Sequence, residues 1–308
     1  MDRLAAMQIL VRVVEAGSFS AVAREQGSTQ SAISKQVAAL EAHLGVRLLS
    51  RTTRAVTLTD EGRSYVQSAQ RIVRDAQDAE DALRSSKNSI TGRLRIGAST
   101  GFGRFVLFPI VQTFMEQHPN VEIDLQLKDS FVDVVAEGLD AVVRAGELND
   151  TSLIAQRVGT AHRSVVANKK LAADLNKVGR LPIKAEDLSD HNCIIYTGLA
   201  PPNTWLFDSL PTQLDQDVSL TGAARVRVNG RFSTSSSEVV REAVLAGLGI
   251  GFTPNWFFTE ELATGEIVRL LPSFSPHPLP IHALYPISRR DSPKLAAFVA
   301  ATKAALLI

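Results

Sequence analysis

Apolar residues recur at helical spacing over three consecutive segments at the start of the chain. Leu4, Met7, Leu10, Val11 and Val14 step by three and four and predict a helix over residues 3–16. Gly17 ends it, and Ser18 caps a second helix whose Phe19, Val22 and Ala23 share one face. Gly27 breaks that helix, because glycine takes the left-handed conformation of a tight turn without a Cβ penalty. Thr29 caps a third helix with Ile33, Val37, Leu40 and Leu44 on its apolar stripe. Opposite that stripe stand Gln30, Ser31, Ser34 and Lys35, side chains of the kind that reach base edges in a groove. With the cap Ser18 they form a candidate contact set. Taken alone, this stretch is better read as an ordinary helical hairpin with a solvated outer face.

Further along, Arg51-Thr-Thr-Arg54-Ala-Val-Thr-Leu is a short β-prone run holding two arginines. Thr59-Asp60-Glu61 opens a long helix, a cap followed by two acids, and no proline interrupts it up to Lys87. Within it Tyr65, Ala69, Ile72, Ala76, Ala79 and Leu83 alternate steps of four and three, a heptad seam suited to pairing two chains. The alternative is a single long helix packed on its own domain. The polar segment from Ser85 to Gly92 breaks the helix and predicts a hinge. Beyond it, Arg93-Leu-Arg-Ile-Gly and Val121-Glu-Ile-Asp-Leu-Gln-Leu alternate like strands around a helix over 102–116. A helix near 131–137 and the strand Ala141-Val-Val-Arg follow, an alternation that predicts a parallel α/β sheet. A second α/β lobe is expected from Ser164-Val-Val-Ala, Cys193-Ile-Ile-Tyr, Ala224-Arg-Val-Arg-Val, the helix 237–246 and Ile250-Gly-Phe.

At 308 residues the chain has room for two or three domains, and 45% hydrophobic with 21% charged residues is an ordinary soluble balance. The net charge of +1 is uninformative until divided: residues 1–58 hold seven cations against four anions, a net of +3, which leaves −2 for the remaining 250. Basicity is concentrated at the helix-turn-helix, where phosphate neutralisation would supply affinity. The start lacks a basic segment followed by a long apolar run, and the uncharged apolar stretch Ala243 to Thr259 is 17 residues broken by Pro254. Neither a secretory signal nor a membrane span is expected, and the expected location is cytoplasmic. A single cysteine, Cys193, excludes an internal disulfide and any cysteine-rich metal site.

Ser-Ala-Ile-Ser-Lys35, Leu40-Glu41, Leu44-Gly45, Arg51-Thr-Thr-Arg54 and Leu58-Thr-Asp-Glu-Gly62 occur in one register. In that order they resemble the N-terminal domain of the LysR-type transcriptional regulators. Gly92-Arg-Leu-Arg-Ile-Gly, His118-Pro119, Glu137-Gly-Leu-Asp140-Ala, Asp187-Leu, His191-Asn-Cys and Ala246-Gly-Leu-Gly-Ile resemble the effector domain of the same family. The resemblance implies an all-α winged helix-turn-helix over 1–58, with Arg51 and Arg54 on the wing reaching phosphates or the minor groove. It implies a linker and dimerisation helix over 59–89, then a two-lobed α/β effector domain over 90–308, like a type II periplasmic binding protein. Lobe I is expected near 90–160 and 271–308 and lobe II near 161–270, with crossings near 159–163 and 266–271. It implies homodimers that pair into tetramers on inverted repeats of double-stranded DNA, a small-molecule effector, and RNA polymerase as a further partner, without a cofactor or membrane.

Ligands of such sheets bind beyond the carboxyl ends of the strands. Ser99-Thr100-Gly101 lies between a strand and a helix, so its hydroxyls and open amides are expected to hold an effector carboxylate. Helix capping is the even alternative there. Ser233, on the hydroxyl-rich approach to a later helix, is expected across the cleft, and Tyr196, Thr197, Thr253, Asp129, Ser130, Phe131 and Arg144 are expected to line it. The hydroxyl-rich helix starts favour a small anion, an aromatic or aliphatic carboxylate. Catalysis finds no motif: Gly247-Leu-Gly-Ile-Gly251 sits between a helix and a strand instead of opening a helix, and the six histidines lack metal-ligand spacing. A solute-binding protein with an accessory N-terminus, or a constitutive DNA-binding protein, are the rival readings.

Overall fold

The computed structural model describes residues 2–50, 56–84, 90–130, 133–146, 148, 152–198, 201–208, 224–272 and 275–306. They fall into two compact units, Met1–Gly92 with Val135–Gly138, and Arg93–Val134 with Leu139–Ile308.

In the first unit, α1 (Arg3–Ala16), α2 (Phe19–Glu25) and α3 (Gln30–Leu44) precede β1 (Leu49–Ser50), β2 (Thr57–Leu58) and α4 (Asp60–Arg84). The boundaries follow local chemistry. Ser18 Oγ accepts from the Ala21 N–H at 3.3 Å and Thr29 Oγ1 from the Ala32 N–H at 3.3 Å, each satisfying an orphan amide of its helix. Gly27 has φ +59°, the left-handed turn its sequence position requires. Leu10, Val13, Val22, Ile33, Val37, Leu40, Leu48 and Val66 form one buried cluster, so the apolar stripes of all three short helices meet α4. Glu41 accepts from the Leu48 and Leu49 N–H groups at 2.7 and 3.0 Å and so fixes where β1 begins. Thr59 donates its hydroxyl to Arg47 O at 2.7 Å and accepts from Gly62 N at 2.9 Å, tying the start of α4 to the same turn.

The second unit contains two lobes. Lobe I is a five-stranded sheet, order β4-β3-β5-β15-β6, from β3 (Gly92–Ala98), β4 (Val121–Leu127), β5 (Ala141–Ala145), β6 (Ile154–Ala161) and β15 (Leu279–Tyr285). Between β3 and β4 run α5 (Thr100–Phe102), a π-helical turn (Gly103–Leu107) and α6 (Phe108–Gln117). The C-terminal α10 (Pro293–Leu306) packs on α6, with Phe298 edge-on to Phe114 at 5.3 Å. Lobe II holds β7 (Arg163–Asn168), α7 (Lys169–Lys177), β8 (Asn192–Tyr196), β9 (Thr204–Asp208), β10 (Ala224–Arg227) and β11 (Asn229–Thr234). It continues through α8 (Ser237–Leu245), β12 (Gly251–Pro254), α9 (Thr259–Thr264), β13 (Ile267–Leu270) and β14 (Ser275–Pro276).

Three expectations need correction. The lobe I sheet is mixed: β3 and β5 run parallel, but β15 is antiparallel to both β5 and β6. Of the helix expected over 131–137, Val134–Gly138 forms turns, closed by Leu139 N–H donating to Val134 O at 2.9 Å. The return to lobe I comes later than 266–271, because β13 pairs with β7 and β14 with β9, so the chain leaves lobe II after Pro276. No single helix among the described residues is long and apolar enough to cross a membrane.

Candidate functional site

On α3, Ile33, Val37 and Leu40 are buried while Gln30, Ser31, Ser34 and Lys35 are exposed, as the stripe requires. Gln30 Oε1 accepts from the Ser20 hydroxyl at 3.0 Å and Ser31 Oγ lies 3.2 Å from Thr29 Oγ1, so the start of α3 is braced against α2. Ser34 and Lys35 project one turn further on. Ser18 is half-buried with its hydroxyl committed to the cap. Arg51 and Arg54 lie outside the described residues. The heptad on α4 divides: Tyr65 packs on the helix-turn-helix core and Ala69 is fully buried, whereas Ile72 is 44% exposed and Ala79 is exposed. Ala76 is half-buried, and nothing is described of the Leu83 side chain. The N-terminal half of the seam is therefore spent within its own chain.

In the second unit a cavity of about 150 Å³ opens between the lobes. Lobe I supplies Ser99, Phe102, Lys128, Asp129, Ser130 and Arg144, and lobe II supplies Arg163, Tyr196, Phe252, Thr253, Pro254 and Trp256. Strand ends place them: Lys128-Asp129-Ser130 follows β4, Arg163 opens β7, Tyr196 closes β8, and Thr253-Pro254 closes β12. Lys128, Arg144, Arg163 and the carboxylate of Asp129 are the charged groups of the lining. Burial pushes the Tyr196 phenol up to about 12, helped by the Asp129 charge and opposed by Arg144, so it stays a neutral donor near pH 7.

Asp129 has the most instructive position. Its Oδ1 accepts from Thr100 N at 2.9 Å, and its Oδ2 accepts from Ser237 N at 2.7 Å. The Ser237 hydroxyl donates to the same carboxylate at 3.0 Å and lies 3.2 Å from the Gly101 N–H. Arg104 and Glu238 form an ion pair at 3.1 Å beside it. The amides at Thr100 and Gly101, expected to hold a ligand carboxylate, are thus occupied by the protein's own groups, and Asp129 joins lobe I to the start of α8.

Three expected residues lie elsewhere. Thr100 faces Asp129 and is not in the cavity lining, Thr197 and Ser233 are exposed outside it, and Phe131 lies outside the described residues. Sequence reasoning missed Lys128, Arg163, Phe102, Phe252 and Trp256. Only Arg163, stranded at the head of an apolar strand, carries a local signal. Thr253 Oγ1 and Trp256 Nε1 are lining atoms buried without a hydrogen-bond partner among the described residues.

Among the described residues no cluster of His, Cys, Asp or Glu is placed to hold a metal ion. Cys193 is buried in lobe II and burial pushes its thiol up to about 12. Iodoacetamide at pH 8 is therefore expected to label it only after unfolding. Rapid labelling of the folded protein, read by mass spectrometry, would contradict that placement.

Residues 4–63 match the family described as bacterial regulatory helix-turn-helix protein, lysR family, and residues 87–307 match the LysR substrate binding domain. The chain is 34% identical over 286 residues to the Escherichia coli K12 transcriptional activator AaeR, covering 92% of this chain and 88% of that one. It is similar to the solved structure of CrgA, a LysR-type regulator from Neisseria meningitidis, with 28% identity, a TM-score of 0.59 and 98% of each chain covered. The full-length Vibrio cholerae virulence activator AphB gives 26% identity and a TM-score of 0.61 over 99% of each chain. With its helix-turn-helix and its two-lobed domain both accounted for, the chain belongs to the LysR family of bacterial transcriptional regulators.

Proposed function

We propose that this regulator docks α3 in the major groove of double-stranded DNA and answers to a small anion bound between the lobes of its second unit. The observation that carries the first half is the division of α3 into a buried apolar stripe and an exposed face of Gln30, Ser31, Ser34 and Lys35. Gln30, Ser31 and Ser34 read base edges, Lys35 neutralises a phosphate or guanine edge, and Arg51 and Arg54 hold the flanking backbone. The cavity between the lobes, with Lys128, Arg144, Tyr196 and Thr253 in its lining, supports the second half.

Two copies are needed to read an inverted repeat, whose half-sites lie roughly 34–36 Å apart along the duplex. On α4 the exposed Ile72 and Ala79, with the half-buried Ala76 between them, are the positions we assign to that pairing, with two dimers joining on one operator. RNA polymerase is the output partner, the location is cytoplasmic, and the protein catalyses no reaction.

Lys35→Ala tests the DNA half. Affinity is expected to fall on all sequences alike and the log–log salt slope to shrink by about 1, the signature of one lost phosphate contact. A change in sequence preference with an unaltered slope would assign Lys35 to a base instead. An unchanged isotherm would remove α3 from the interface.

A further inference from the structure

We propose that lobe II carries a second DNA-contacting surface, an exposed row of arginines along β10 and β11 that holds the backbone of duplex flanking the site read by α3. This goes beyond the α3 reading, because it adds a contact that carries no sequence information and leaves the readout where it was.

The row follows from strand alternation. β10 ends at Arg227 and β11 begins at Asn229, so residues 224–234 run almost continuously. Val226 and Val228 are buried in one lobe II core cluster and Phe232 packs against another, so the even positions point inward. Arg225, Arg227, Asn229, Arg231 and Ser233 take the odd positions, and all five are exposed. That phase survives the register shift against β8 between Asn229 and Phe232. Opposite Arg225 and Arg227 on β9 stand Leu206 and Thr204, and opposite Asn229 on β8 stands Asn192, none of them charged. The Arg231 backbone N–H donates to Asn192 Oδ1 at 2.9 Å, but among the described residues no hydrogen bond or ion pair engages the guanidinium of Arg225, Arg227 or Arg231. Residues 59–308 net −2, so three cations and no anion between Arg225 and Arg231 run against the trend of the chain.

The shape of the row selects its occupant. Six residues of strand carry Arg231 about 20 Å from Arg225. Duplex DNA offers one phosphate per about 3.4 Å along each strand, so that length faces about six of them. Guanidinium forks bind phosphate oxygens in pairs, and the Asn229 amide and Ser233 hydroxyl are donors of the kind that hold a sugar–phosphate backbone. A protein partner would be anchored by aromatic or large apolar side chains at the centre of its surface, and the outward row has none.

The test compares two duplexes bound by the full chain, the shortest that keeps its sequence preference and the same site with about two helical turns of mixed sequence on each side. At low salt the parent is expected to bind the longer duplex at least tenfold more tightly, with a log–log salt slope steeper by up to about 2.7 for each chain engaged. The variant Arg225→Gln/Arg227→Gln/Arg231→Gln is expected to melt with the parent, to stay within threefold of it on the short duplex, and to lose the gain on the long one. Arg225→Lys/Arg227→Lys/Arg231→Lys is expected to keep the steeper slope, because lysine also neutralises phosphate. A parent whose slope ignores duplex length, or a glutamine variant that loses affinity equally on both duplexes, overturns the proposal. A glutamine variant that keeps the whole gain also overturns it and reassigns the row to an acidic protein segment. Binding of the short duplex by the parent leaves the α3 reading standing in each of these cases, whereas a parent that binds neither duplex sinks both.

Discussion

Gly62→Ala is expected to cost the N-terminal unit about 3 kcal/mol, the upper end of what an added methyl costs in close-packed surroundings. A Cβ at this position would overlap the Leu48 carbonyl oxygen far inside van der Waals contact distance, and that oxygen is backbone and cannot rotate aside. The same Leu48 carbonyl accepts from Thr59 N at 3.1 Å, so relieving the clash separates the start of α4 from the turn that leads into β1. The hydrogen bonds from Leu48 and Leu49 to Glu41 are pulled with it. Operator affinity should drop by at least an order of magnitude, because α3 and the β1–β2 hairpin lose their common support. Circular dichroism melts and DNA titrations read both effects. A variant with the parental melt and parental affinity would show that this turn does not position the DNA-reading surface.

Asp129→Ala is the second large effect, and it falls on the other unit. The substitution strands the Thr100 and Ser237 amides and the Ser237 hydroxyl, which now donate to one carboxylate over 2.7–3.1 Å. Hydrogen bonds to a charged acceptor are worth about 1.5–3 kcal/mol each and are not additive, so a loss of about 3 kcal/mol is expected for the set. The space left behind has the shape and donors of a carboxylate site. Formate or acetate should therefore raise the unfolding midpoint of the alanine variant and leave the parent unchanged. A variant as stable as the parent, or one that gains nothing from either anion, would show that Asp129 does not clasp the lobes.

The first unit was readable because its signals are local. Ser18, Thr29 and Gly27 act on residues at most three positions away, and the stripes of α1 to α3 need only face one another. Glu41 is the exception there: its partners, Leu48 and Leu49, lie past the end of α3 at Leu44, where helical periodicity no longer applies. The α4 heptad is ambiguous for a related reason, since a step of four and three suits a second copy and the chain's own core equally, and Tyr65 and Ala69 are buried within the chain.

In the second unit the elements were legible and their partners were not. Strand direction in lobe I depends on β15, which returns from the far end of the chain to lie between β5 and β6. The ligand cavity draws on strand ends far apart in sequence, and hydroxyl-rich helix starts drew attention away from the aromatic walls. The helix start at Ser99-Thr100 was a correct anion site with the wrong anion, because the carboxylate that fills it comes from Asp129, 29 residues beyond Thr100.

The central claim is that the cavity and the DNA-reading unit are coupled. The direct test is titration of the intact protein onto a duplex it selects from a random pool, with and without a saturating small carboxylate that calorimetry shows to be bound, for the parent and for Thr253→Val in the cavity lining. Such a ligand is expected to change the parent's affinity at least about fivefold, the lower range of measured allosteric couplings, and to have less effect on the valine variant. Identical isotherms for the parent with and without a ligand that calorimetry shows to be bound would contradict it.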